Sequence, residues 1–188
     1  MKISYCTTCH KRLWQVKQTL KHNLDFTISG EVEVCVLVYN DSEAFQYLTE
    51  NYADYIQDGR LKIKSHFDDL GWNMGRMKNL AHQMATGRVV FNLDADNFID
   101  GVHETLLHLK DTEICITKQN APNMLDGRIG RIGLTRSRFE KLDGYQENIG
   151  DRHDGDLITR ALMSGCKIIQ SDCIIKPIPN TEEVLCES

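Results

Sequence analysis

"VVFNLDADNF", Val89 to Phe98, runs from three apolar residues through a short polar step into two carboxylates, Asp94 and Asp96. The apolar half reads as a buried strand ending at its polar tail. On an extended segment, residues two apart share a face, so both carboxylates point the same way. Two like charges held together repel, and a divalent cation, or a ligand that brings one, removes that cost.

The sequence upstream supplies the frame. "KISYC" (Lys2 to Cys6) reads as a first strand, and "TTCHKRLWQVKQTLKHNL" as a helix with Leu13, Val16, Leu20 and Leu24 on one stripe and Thr7 or Thr8 as its cap. "EVEVCVLVYND" reads as a buried parallel strand, and "SEAFQYLTENYADYI" as one helix capped by Ser42. "GRLKIKSHF" makes a third strand, Met77 to Ala85 a helix closed by Gly87, and Val89 to Leu93 the fourth strand. Strand and helix alternate with short joins, which predicts an α/β fold with a Rossmann-like, mostly parallel sheet flanked by helices. In such sheets ligands gather at the carboxyl ends of the strands, where Thr7, Asn40, Asp41, Asp94 and Asp96 fall. The second half is less regular: strands at "EICITK", in "RIGRIGL" and at "KIIQSDCIIKPI", a helical turn from Ser137 to Leu142, and a helix over "DGDLITRALMSG" with Leu157, Ile158, Ala161 and Leu162 inward. "KQNAPNMLDGR" reads as a loop that orders over bound substrate.

The 188 residues suit one domain, and 41% hydrophobic with 26% charged residues is ordinary for a globular chain. A net charge of -5 without a basic run argues against nucleic acid as partner. No apolar run reaches the roughly 20 residues of a membrane helix, and "MKISYCTTCHKRLW" lacks a signal-peptide core, so a cytoplasmic location is expected. Seven scattered cysteines read as reduced thiols; "CTTC" has no second pair to complete a zinc site.

Other residues carry two readings each. Arg12, Arg76 and Lys78 suit charge-assisted phosphate contacts or a solvated helix face. Asp154 is the first candidate for a general base, with Asp151 and Asp156 competing; all three also suit a helix N-terminus, and Asp156 is the better simple cap. Trp14 reads as core, and Trp72 as a stacking residue or as packing under its loop. Asp68 and Asp69 read as a solvated turn, and the histidines at 66, 82, 103 and 108 as structural or surface residues.

Four stretches, in order, resemble the family 2 glycosyltransferases with the GT-A fold: "SYCTTCHKRLWQVKQTL", "NMGRMKNLAHQMATGRVVFNLDADNFI", "GLTRSRFEKLDGYQE" and "HDGDLITRALMSG". The resemblance implies a single domain over 1-188, with a nucleotide-sugar half (1-100), an acceptor half (101-180) and a tail (181-188). It implies a hexosyltransferase that moves a sugar from a nucleotide-diphosphate donor, expected to be a UDP-sugar, to a glycan or other hydroxyl acceptor, with inversion. Asp94 and Asp96 carry over as the Asp-x-Asp pair around Ala95, holding Mn2+ or Mg2+. Asp154 carries over as the base, with Thr7, Thr8 and Arg12 near the nucleotide and Asn73, Gly75 and Asn79 along the ribose and diphosphate. Two departures stand out. "VYNDSEAF" puts Tyr39 or Asn40 where relatives have an aspartate that contacts the base, displacing Asp41. His153 replaces a glutamate and adds a possible metal ligand. A nucleotidyltransferase would need a glycine-rich start, which is missing before Gly30. A degenerate core that binds a nucleotide or glycan without transfer is the other reading.

Overall fold

A computed structural model describes residues 2–27, 31–99, 101–117, 130–171 and 178. The anticipated loop at 118–128 and the tail at 181-188 lie outside them, as does most of the final strand beyond Ser171. In chain order the elements are β1 (Ile3–Cys9), α1 (Leu13–Asp25), β2 (Val32–Tyr39), α2 (Ser42–Asn51), α3 (Ala53–Gln57), β3 (Leu61–His66), α4 (Met74–Gln83) and β4 (Val89–Asn92). Then come α5 (His103–Leu107), β5 (Glu113–Thr117), β6 (Ile132–Thr135), α6 (Arg136–Lys141), α7 (His153–Met163) and β7 (Lys167–Ser171).

The strands form one sheet in the order β3-β2-β1-β4-β6-β5-β7. β1, β2, β3 and β4 pair in parallel, β5 with β7 likewise, and β6 runs antiparallel to both β4 and β5. Both faces of the sheet are covered, which explains the valine-rich β2. Val32, Val34, Val36 and Val38 pack into one core with Val16, Leu20 and Leu24 of α1. Cys35, Leu37 and Tyr39 face the other, with Met77 and Ala81 of α4 and Leu157 and Ala161 of α7. Each such buried aliphatic side chain contributes on the order of 1.5–3 kcal/mol.

Several local expectations change. β1 runs on to Cys9, because Thr7, Thr8 and Cys9 pair with Val36, Leu37 and Val38 of β2. Neither threonine caps α1, which starts at Leu13 with no side-chain cap. Asp41, not Ser42, caps α2 by accepting from the Ala44 amide at 3.0 Å. The long second helix breaks at Tyr52, whose backbone (φ -124, ψ 26) leaves the helical region while its side chain is buried. Asn73 caps α4, which starts at Met74, three residues ahead of the expected Met77. Asp156 does not cap α7; it lies in the first turn and pairs with Arg160 at 2.6 Å. Leu162 is 43% exposed rather than inward, and Trp14 is half-buried rather than core. Among the described residues no helix is long and apolar enough to cross a membrane.

Candidate active site

The carboxylate pair does not continue the strand. β4 ends at Asn92, and Asp94 to Asn97 form a turn closed by the Asn97 amide donating to the Asp94 carbonyl at 3.0 Å. The turn keeps both carboxylates on one side: Asp94, Ala95 and Asp96 all line a cleft of about 450 Å³ at the carboxyl ends of β1 and β4. Asn92, at the strand end, donates its side-chain amide to Asp94 Oδ1 at 3.1 Å and also to the Gly130 carbonyl. Burial, and then the charge of Asp94, raises the Asp96 carboxyl above the ordinary carboxylate range. The site therefore penalises a second negative charge beside Asp94.

The opposite wall comes from the second half of the chain. A 3-10 turn at Gly150–Arg152 leads into α7, and Asp151, His153 and Asp154 line the cleft. Both Asp154 oxygens accept from Lys78 Nζ of α4, at 2.7 and 3.0 Å, and the lysine side chain is only 3% exposed. Burial alone would raise the Asp154 carboxyl, but His153 and Lys78 outweigh it and hold it below the usual value. His153 has Nδ1 3.0 Å from the Gly150 carbonyl and Nε2 3.3 Å from Asp154 Oδ2. Asp151 is exposed at the rim and forms no hydrogen bond or ion pair among the described residues.

Gly130 marks where the two walls meet. A Cβ built there would lie 3.0 Å from Asp94 Oδ2 and 3.2 Å from Asp154 Oδ2. The residue is glycine where two carboxylates from distant parts of the chain converge, and any side chain would fill the space between them.

Thr8, Arg12, Asp94, Ala95, Asp96, His153 and Asp154 are thus brought together in one cleft. Six other anticipated residues lie outside its lining. Thr7 is buried in β1. Asn40 bonds to the Asp68 backbone, and Asp41 caps α2 and accepts from the Lys11 amide. Asn73 donates to the Glu147 carbonyl, Asn79 bonds both backbone groups of Tyr145, and Gly75 packs against the Gln146 backbone. These three fasten α4 to the segment before α7. The three-ligand metal set with His153 does not form: no three His, Cys, Asp or Glu are grouped to hold a metal among the described residues.

One cleft residue, His10, escaped the sequence reading, and it pairs with one that did not: His10 and Trp72 stack with ring centroids 4.9 Å apart and planes 14° from parallel. They come from separate elements, so no local spacing announces them. Asp68 is no solvated turn residue. It accepts from Tyr39 Oη and His66 Nε2, each at 2.7 Å, and pairs with Arg76 at 3.1 Å. The Tyr39 hydroxyl leads the groups that lower its carboxyl to about 2. Arg76 is therefore committed to Asp68, and Lys78 to Asp154. Lys78 did leave a signal, since it sits on the buried stripe of α4 with Met77, Ala81 and His82. A lysine on an inward stripe is rarely buried without a partner.

No protein-family profile matches the chain, and no curated protein does. Solved structures do match. The mannosyltransferase PcManGT from Pyrobaculum calidifontis, in complex with GDP-Man and Mn2+, superposes with a TM-score of 0.78 at 15% identity over 96% of this chain and 58% of its own. S. aureus TarS 1-349 in complex with UDP gives 0.72 at 16% identity, over 93% of this chain and 59% of its own. GalNAc-T7 with UDP, GalNAc and Mn2+ gives 0.68 at 13% identity, over 97% and 44%. The chain spans less than two thirds of the length of each. The seven-stranded sheet, its flanking helices and these superpositions agree: the chain has the GT-A fold of glycosyltransferases.

Proposed function

We propose that the protein is a family 2-like glycosyltransferase that transfers a sugar from a nucleotide-diphosphate donor to an acceptor hydroxyl, with inversion. The observation that carries this reading is the convergence of Asp94, Asp96 and Asp154 on one cleft at the carboxyl ends of the sheet. Residues 1-100 would hold the donor and residues 101-180 the acceptor. Neighbours of the same fold were solved with GDP-Man or UDP, and UDP-sugar is the donor class tested first.

The donor set fits a hard divalent ion. Asp94 and Asp96 present carboxylate oxygens on one side of a turn, and Asp96 resists ionising beside Asp94 without a cation. These two residues would hold Mn2+ or Mg2+, which when bound offsets the charge growing on the diphosphate leaving group. Arg12 lines the same cleft and would add positive charge on the diphosphate side. Trp72 and His10 offer a flat aromatic surface to the donor's ring systems. Asp154 would take the acceptor hydroxyl proton as that oxygen bonds to the sugar's anomeric carbon. The bond from that carbon to the diphosphate breaks, and the nucleoside diphosphate leaves with the electron pair.

The test is a thermal-shift titration with UDP and, separately, GDP, each with Mn2+ and then with excess chelator. Ligand that binds only the native state raises the unfolding midpoint. The expected result is a shift that needs both nucleotide and metal and is lost in Asp96→Ala, followed by sugar transfer from the matching donor. A folded protein that responds to neither nucleotide overturns the reading; binding without transfer over a broad acceptor panel leaves only the degenerate binding core.

A further inference from the structure

Lys78 is a nearly buried cation with an unusual address. Its backbone belongs to α4, which packs on β1 and β2 in the first half of the chain. Its ammonium reaches across to α7 and bonds both oxygens of Asp154, at 2.7 and 3.0 Å. No other hydrogen bond to the ammonium forms among the described residues; it lines the cleft and lies 5.3 Å from the centre of the Tyr145 ring. The same cleft holds Asp94, Asp96 and Asp151, so Asp154 would otherwise face further carboxylates and little positive charge on its own wall. One ammonium bonded to both oxygens of a carboxylate restrains how that carboxylate can turn as well as where it sits. Its outer edge is left facing the gap beside Gly130, where Asp94 Oδ2 also points.

We propose that Lys78 is a positioning residue for the transfer step: it clamps Asp154 from behind, so that the carboxylate meets the acceptor hydroxyl already aimed. This rests on Asp154 acting as the base. It assigns Lys78 to the acceptor side of the reaction rather than to the donor phosphates, which its place on α4 would equally have suited. In the preorganised state the carboxylate does not have to reorient when acceptor enters, and that advantage appears in turnover rather than in donor binding.

The experiment is a double-mutant cycle in the full chain: Lys78→Met, Lys78→Arg, Asp154→Asn and Lys78→Met with Asp154→Asn. For each, kcat, donor KM and the metal-dependent thermal shift with the donor nucleotide are measured. Lys78→Met should lower kcat by about 10–100-fold, the usual range for groups that orient a reacting ligand. Donor KM and the nucleotide shift should stay within about twofold. Lys78→Arg, which keeps the charge and can bond both carboxylate oxygens through a planar guanidinium, should recover part of the loss and guards against a variant that fails to fold. The double variant should be no slower than Asp154→Asn alone, since the lysine then has nothing to aim. A raised donor KM in Lys78→Met, or a loss that persists on top of Asp154→Asn, overturns the proposal and moves Lys78 to the phosphates or to a purely structural role. A folded wild-type chain that neither binds nucleotide nor transfers sugar overturns the underlying reading instead, which the thermal shift alone reveals.

Discussion

Asn92 shows how one neutral side chain can set a charged site. It is 2% exposed, and its amide is shared between Asp94 Oδ1 and the Gly130 carbonyl. The first carboxylate of the pair is thereby tied to the glycine that leaves room for Asp154. On the proposed function Asp94 holds the metal and Asn92 stands one bond behind it, and removing such a group typically changes affinity or rate by about 10–100-fold. Asn92→Ala is expected to weaken the Mn2+ requirement curve and kcat/KM by that order, measured by titrating metal at fixed donor. Asn92→Asp should be worse, because it adds a like charge beside Asp94. Equal metal curves for wild type and Asn92→Ala would remove Asn92 from the site. The two aspartates were legible in "FNLDAD" because they stand two positions apart at the end of an apolar run. The role of Asn92 was not, because its second partner, Gly130, lies 38 positions away.

Among the elements, α4 carries the joint between the halves. Asn73 and Asn79 bond to the segment that contains Tyr145 and Glu147, and Gly75 lies flush against it. A Cβ on Gly75 would stand 2.7 Å from the Gln146 carbonyl oxygen, a backbone atom that cannot swing aside. Gly75→Ala should therefore cost about 1–3 kcal/mol, the usual range for overpacking, even though alanine favours helices. Equilibrium urea unfolding measures it; an unchanged or raised midpoint would mean that α4 shifts without penalty. The existence of this helix was readable from its apolar spacing. What "NMGRMKN" hid was direction: its polar residues are spent on protein contacts, and only Lys78 among them reaches the cleft wall. Periodicity identifies a buried stripe, but the partner that a polar residue finds depends on which element the fold lays across it. The same limit applies to β1, where the threonines continue the sheet because β2 is beside them, and to α2, where capping passes to Asp41.

At the scale of the whole molecule, the end of the sheet opposite the cleft is held by a buried charge. Glu33 lies in β2 with its side chain fully buried, and it joins parts of the first half that the valine pattern of "EVEVCVLV" does not reveal. Ser4 Oγ of β1 and the Thr86 amide each donate to it at 2.6 Å, Lys62 of β3 pairs at 2.9 Å, and Lys2 closes the set. Burial pushes the carboxyl up, but Lys2, Ser4, Thr86 and Lys62 together outweigh it and bring it from 4.5 to about 2. The folded value lies below the unfolded one, so between them the unfolded chain binds more protons. Stability from Glu33 is fully present above about pH 4.5 and falls away as pH drops toward 2. At about 1.4 kcal/mol per unit, the contribution is on the order of 3 kcal/mol. Glu33→Gln should be less stable than wild type at pH 7, because two lysines lose their partner. Its stability should also change less on acidification, so the gap between the two proteins narrows between pH 4.5 and pH 2. Urea unfolding of both proteins at several pH values reads this directly. Parallel acid slopes would assign the loss to other carboxylates, such as Asp68 with its own lowered value of about 2, and would leave Glu33 as a packing residue whose charge the fold merely tolerates.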